Sequence, residues 1–387
     1  MKILYILDNY YPHIGGAELL FQQLAEGVVA QGHSATVLTP KNFPEYIDTE
    51  QHNKVTIIRQ RVPMVGQRYF FTLWAIAKAI RLARSHDLIH TATYNAIFPA
   101  WLASLLTGKR ALVTVYEVWN EKWYSLSGQK RWKAHLLRLF ERVLLLFRFD
   151  ATICISDSTL RDYKQLFPKA AAVRIYPGVD YAEIEKYRLS EVEKQQFQAR
   201  NGYATGSYVV LSFGRPGISK GFDNLVEAVP AVLEALPSVT FKFIWPSAPN
   251  FISLRDVLTS RLASFNVPES VAVLDKQTRA DLFAHIQAAD CVVIPSLAEG
   301  FGYAAIEACL LASCTVVTTA GSLPEIVNNR VIQVAPASHQ ALAQGIISAA
   351  RGEAPMLPPK TFTNKAMIDG HISLYTSLVS PVNNRPI

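Results

Sequence analysis

Apolar residues fall in short bursts along this chain, and each burst is followed by a stretch in which they recur every three or four positions. In the first half the bursts are KILYIL (2–7), SATVLT (34–39), VTIIRQ (55–60), DLIHTA (87–92), ALVTVY (111–116), ATICIS (151–156) and AVRIYP (172–177). Compact β-branched and aliphatic runs predict buried strands, and their alternation with helical spacing predicts parallel βαβ units. Between the first two bursts, Leu20, Leu24 and Val28 mark one face of a helix over Ala17–Gln31, with Gly32 as its stop.

Residues 178–206 are polar and charged and predict a linker with short helices. The rhythm then resumes with YVVLSFG (208–214), a helix over Asp223–Leu236, FKFIW (241–245), VAVLD (271–275), CVVIP (291–295) and CTVVTT (314–319). The chain therefore reads as two doubly wound α/β domains, residues 1–177 and 207–364. Within 365–387, KAMIDGHISLYTSLV predicts a last helix that either closes the second domain or crosses back onto the first.

Composition narrows the class. With 387 residues, half of them apolar and 18% charged, the chain can bury two cores. The opening MKILYILDNYYP is too short in apolar residues for a signal-peptide core, and no run approaches the ~20 residues that cross a bilayer. A cytoplasmic protein, free or attached to the surface of a membrane, is expected. Cys154, Cys291, Cys309 and Cys314 form no CxxC pair and have no His at ligand spacing, so they read as reduced core thiols. The net charge of +7 is lopsided: residues 1–180 hold 22 Lys+Arg against 14 Asp+Glu, and the remainder 16 against 17. An anionic partner or membrane surface is expected for the first half alone.

Open parallel sheets bind ligands beyond the carboxyl ends of their strands, which directs attention to three strand–helix junctions. In YYPHIGGAELL, Gly15 and Gly16 precede a helix, either as a tight turn or as a place where phosphate meets free amides. In LSFGRPGISKGFDN, Arg215 and Lys220 on a glycine-rich loop either clamp a diphosphate or form a solvated pair; the spacing is not that of a P-loop. In AEGFGYAAIEA, Gly300 and Gly302 free amides at a helix start. Glu299 precedes that helix, while Glu307 lies inside its apolar face and needs partners, whether ligand hydroxyls or an arginine. No Asp-x-Asp occurs, so a metal-chelated diphosphate is not expected. The segment 129–149 sets Trp132, Leu136, Leu139, Phe140, Val143 and Phe147 against Arg131, Lys133, Arg138, Arg142 and Arg148. It either rests on an anionic membrane or covers its own sheet with arginines snorkelling outward. A nucleic-acid partner would explain the basic half but would leave the glutamate and glycine junctions without a purpose.

In this order and spacing, "PHIGGAE", "GRPGISKG" and "EGFGYAAIE", with "ICISDST" and "YPGVD", resemble the retaining glycosyltransferase family 4 over nearly the whole chain. The resemblance implies a GT-B fold: two Rossmann-like domains facing a central cleft, the first holding the acceptor and the second the nucleotide-sugar. It implies that Arg215 and Lys220 bind the diphosphate and offset leaving-group charge without a metal. Glu307 then takes the ribose hydroxyls and Glu299 the sugar hydroxyls, while Gly15, Gly16, Gly300, Phe301 and Gly302 line the phosphate and sugar pocket. Tyr116, Glu18 and His90 are further candidates for contact with the sugar or acceptor. No cofactor is expected, and the donor would be UDP-, GDP- or ADP-linked, with a glycan or lipid-linked acceptor. Three departures stand out: Tyr116 where many relatives have His, Trp245-Pro246 in place of a Gly-rich turn near the base, and Asp275-Lys276 where a Gly is usual. A catalytically impaired protein of the same fold, binding without transfer, is the main alternative.

Overall fold

The structure, a computed structural model, describes every residue except Ile14, 64–66, 204–205, 248–251, 266–269 and 381–387. It divides into two compact units. The first comprises Met1–Tyr124, Gln129–Val179 and the chain from Phe362 onward, and the second Ser125–Gly128 and Asp180–Thr361.

The first unit contains an eight-stranded sheet: β1 (Lys2–Ile6), β2 (Ser34–Pro40), β3 (Thr49–His52), β4 (Val55–Gln60), β5 (Leu88–Ala92), β6 (Arg110–Val115), β7 (Ala151–Cys154) and β8 (Ala172–Arg174). Their order is β3-β4-β2-β1-β5-β6-β7-β8, and all pairs are parallel except β3–β4. Central β1 sets Ile3 beside Ala35 of β2 and Leu88 of β5. Its central strands are apolar on both faces because helices cover both. These helices are α1 (Gly16–Ala30), α2 (Gln67–Trp74), α3 (Ile76–Ala83), α4 (Ile97–Thr107), α5 (Lys122–Leu126), α6 (Arg131–Leu145) and α7 (Asp157–Leu166). Side chains alternate along β1: Leu4 and Ile6 pack with Phe71, Ala75 and Ala100 of the α2–α4 layer, whereas Tyr5 points to the opposite side.

The second unit repeats the theme with α8 (Tyr181–Glu185), α9 (Glu191–Arg200), α10 (Phe222–Ala235), α11 (Ile252–Ser264), α12 (Arg279–Ala288), α13 (Tyr303–Leu311), α14 (Leu323–Ile326) and α15 (His339–Ala350). Its strands are β9 (Tyr208–Phe213), β10 (Val239–Ile244), β11 (Val271–Leu274), β12 (Cys291–Ile294), β13 (Thr315–Thr318), β14 (Asn329–Val334) and β15 (Met356–Leu357). The sheet order is β11-β10-β9-β12-β13-β14-β15, parallel apart from β15. Residues read from sequence as a linker supply α8 and α9, and α9 packs on α12 through buried Phe197 and His285 at 4.9 Å.

The last helix, α16 (Asn364–Val379), lies in the first unit against α1. Close approach is possible because Gly27 has no side chain: a Cβ there would stand 2.1 Å from Ile368. Tyr375 is wholly buried and ties the helix to the sheet, its hydroxyl 2.7 Å from His90 Nδ1 and 3.3 Å from Tyr5. Among the described residues no helix is long and apolar enough to cross a membrane.

Candidate functional site

In the second sheet, β9 pairs with β10 on one side and β12 on the other, so connections leave these neighbouring strand ends in opposite directions. A crevice opens at such a switch point. Three loops meet there, after β9, β12 and β13. The amides of Leu297 and Ala298 donate to Ser219 O at 2.7 and 3.2 Å, and Ser322 N donates to Glu299 O at 3.0 Å. Ser322 Oγ adds a bond to Phe301 O at 2.9 Å. Two glycines make this approach of backbones possible. A Cβ on Gly221 (φ +66) would lie 2.1 Å from Pro295 O, and one on Gly321 (φ +55) would lie 2.2 Å from Glu299 O. Both the space and the left-handed backbone require glycine.

This scaffold brings Lys220 to Glu299, Nζ to Oε2 at 2.7 Å, with the carboxylate 15% exposed and the lysine side chain 36%. Ser296 Oγ reaches the same oxygen at 3.3 Å. Arg215, on the same loop as Lys220, is exposed and makes no ion pair with a described residue. Gly300 is buried, Phe301 packs edge-on to Tyr303 at 5.1 Å, and Gly302 (φ +96) caps α13. The start of α13 therefore offers amides and the positive end of a helix dipole beside a lysine, a setting that suits an anion. Glu307 lies farther along α13, with Arg279 of α12 at 3.6 Å from its Oε1. Burial pushes its carboxyl up to about 7 against the opposing pull of Arg279, so near neutral pH it is divided between charged and neutral forms.

The equivalent place in the first unit is furnished differently. Gly15 caps α1 and Gly16 is its first residue, but the Glu18 carboxylate lies over this turn, 2.2 Å from where a Gly15 Cβ would be. At the end of β1, Asp8 Oδ2 accepts from Asn95 N at 3.0 Å and Tyr94 N at 3.4 Å. Tyr116 follows β6, half-buried and edge-on to Phe21 at 6.3 Å. His90 does not fit the expected sugar or acceptor contact. It is fully buried, bonded to Tyr375 and to Thr114 at 2.8 Å, and burial holds it well below the usual histidine range. The register of β5 turns it towards α16 instead of towards solvent.

Two further outcomes were not legible in the sequence. Trp245, at the point where a Gly-rich turn was expected, is fully buried between Phe243 at 4.6 Å and Phe222 at 5.5 Å. Glu141, within the basic segment 129–149, is 1% exposed and faces inward. It accepts from the amides of Trp119 (2.9 Å) and Asn120 (2.7 Å) and from Trp123 Nε1 (3.0 Å), fixing the loop that follows Tyr116.

Residues 14–183 match the sequence profile of Glycosyltransferase Family 4, and residues 193–364 match that of Glycosyl transferases group 1. An uncharacterized glycosyltransferase of Methanocaldococcus jannaschii is 27% identical over 357 residues, spanning 89% of this chain and 88% of its own. Sucrose-phosphate synthase from Thermosynechococcus elongatus superposes with a TM-score of 0.77 at 19% identity, covering 98% of this chain and 99% of its own. The Anabaena protein HepE in complex with UDP gives 0.73 at 22% identity, covering 97% of this chain and all of its own (100%). These structural likenesses show the GT-B fold of two Rossmann-like domains, in agreement with the two sheets. With both halves matched in order, the chain belongs to the family 4 glycosyltransferases and is a transferase of that type.

Proposed function

We propose that the protein moves a hexose-type sugar from a nucleoside diphosphate to a cell-envelope glycan, polysaccharide or glycolipid, with retention at the anomeric carbon and without a metal ion. The observation that carries this reading is the Lys220–Glu299 pair, held at the β9/β12 crevice by backbone bonds between loops. Without ligand, each charge satisfies the other. An arriving diphosphate exchanges places with the carboxylate on Lys220, is gripped by the Arg215 fork, and leaves Glu299 to accept sugar hydroxyls. Glu307 is set to take ribose hydroxyls, with Arg279 steadying its charge. The solved structure of HepE with UDP lends support to a nucleoside diphosphate as the group bound here.

In the reaction, the bond from the anomeric carbon to the phosphate oxygen breaks and its electron pair stays on the diphosphate. The acceptor hydroxyl attacks from the same face, and its proton passes to the departing phosphate oxygen. No protein nucleophile is required; positioning and the cations that meet the developing charge carry the barrier. The departure at Tyr116, where the resemblance leads one to expect His, favours a second reading, binding without transfer. Four free, buried cysteines suit a reducing cytoplasmic compartment. The test is a screen of UDP-, GDP- and ADP-sugars for turnover, with and without EDTA. Transfer that survives chelation is expected with one nucleotide class. Nucleotide binding with no turnover on any donor would establish the binding-only role.

A further inference from the structure

Helix α6 carries its apolar residues on the outside. Trp132, Leu136, Leu139, Phe140, Val143 and, just past its end, Leu146 are between 42% and 62% exposed. Five of them recur at steps of three and four residues, forming one stripe along a helix of roughly 22 Å. Ala134, Glu141, Leu144 and Leu145 face inward. Lys130, Arg131, Lys133 and Arg148 are exposed around the stripe, while the only acid of the helix, Glu141, is turned into the core. At its N-terminal end, an open groove of about 1270 Å³ is lined by Tyr124, Arg131, Trp132, His135 and Leu136, and by Arg138 paired with the exposed Glu121. Helices α2 and α4 share a core layer, and Phe147, next to α6, packs tilted against Trp101 of α4 with ring centroids 4.9 Å apart. Leu73 and Trp74 of α2 and Leu105 and Leu106 of α4 are also exposed.

An apolar stripe edged by the exposed cations Lys130, Arg131, Lys133 and Arg148, with Glu121 already paired to Arg138, does not suit a second copy of the chain, because two such faces would bring like charges together. We propose that the outer face of α6 docks on an anionic lipid bilayer, with the stripe entering the acyl boundary and the basic residues, including the groove, meeting phosphate head groups. The inference stands on surface chemistry and does not depend on the donor reading.

The experiment is co-sedimentation of the full chain with phosphatidylcholine vesicles and with phosphatidylcholine–phosphatidylglycerol vesicles. Binding is expected only where phosphatidylglycerol is present, and it should weaken as salt rises. The exposed pair Leu136→Glu and Leu139→Glu should abolish it. Arg131→Ser with Lys133→Ser should cut partitioning roughly 10- to 30-fold. In both variants the thermal unfolding and the stabilisation by UDP should match the unchanged protein, which separates failure here from failure of the donor site. Equal binding to both vesicle types, binding to neither, or binding indifferent to these substitutions overturns the proposal. So does a dimer in sedimentation that Leu136→Glu with Leu139→Glu converts to monomer, since the face would then belong to a second copy.

Discussion

The two sheets open at comparable switch points, β1/β5 in the first and β9/β12 in the second, yet their crevices are furnished with opposite charge. In the first unit, Asp8 accepts backbone amides and Glu18 covers the start of α1. In the second, Lys220 and Arg215 stand ahead of α13, and the carboxylate beside Lys220, that of Glu299, is bound to it. One scaffold has thus been specialised through the groups that occupy its first helical turns. An anion finds a partner in the second unit, while in the first the helix terminus is already screened by its own acid.

The strongest way to break this contrast is Lys220→Ala, which should lower kcat by about 10²–10³-fold and weaken nucleotide binding by about 10–100-fold. Glu299→Gln sharpens it through a difference in sign. Transfer should fall, but calorimetric affinity for the nucleoside diphosphate should rise, because Lys220 no longer has a competing carboxylate. Equal loss of affinity in both variants would show the pair to be purely structural.

Glu141→Ala should cost about 2–4 kcal/mol in urea unfolding, since three N–H groups lose their shared acceptor. The glycines separate the two crevices next. Gly221→Ala and Gly321→Ala should each cost about 1–3 kcal/mol and impair nucleotide binding, because backbone atoms block the new Cβ. Gly15→Ala meets only the far end of Glu18 and has extended backbone (φ −169), so it should stay within ~0.5 kcal/mol.

The smallest effect is one of pH. Glu307 is raised on folding to about 7, so the folded state holds its proton more tightly than the unfolded chain does. Its contribution favours the fold at low pH and is lost as pH climbs from the ordinary carboxylate range to about 7. Glu307→Gln carries no such dependence. Its melting temperature should therefore gain on the unchanged protein between about pH 5 and 7.5; a constant gap would mean that burial does not govern this carboxyl.

Much of the architecture was readable because its signals are local. Buried parallel strands are apolar runs, and every run proposed from KILYIL to CTVVTT contains a strand. The strands that escaped notice, β3, β14 and β15, lie at or towards sheet edges, where TEQH and NRVIQV mix polar with apolar positions. The candidate site was readable in part for the same reason: Lys220, Gly221, Glu299 and Gly302 stand in short glycine-marked loops. Other features depend on chain segments far apart in sequence. Arg279 meets Glu307 from another helix, Gly321 and Ser322 clasp Glu299 from the next strand end, and Trp245 is buried by Phe222. No local pattern distinguishes an inward Glu141 from an outward one; only the amides awaiting it do.

That inward glutamate gives α6 mechanical consequences. Three bonds pin the middle of the helix to Trp119, Asn120 and Trp123, so the helix cannot roll about its axis without dragging that loop. One face of α6 thus carries the outer stripe while the other, through Glu141, anchors the chain that turns away from β6 after Tyr116.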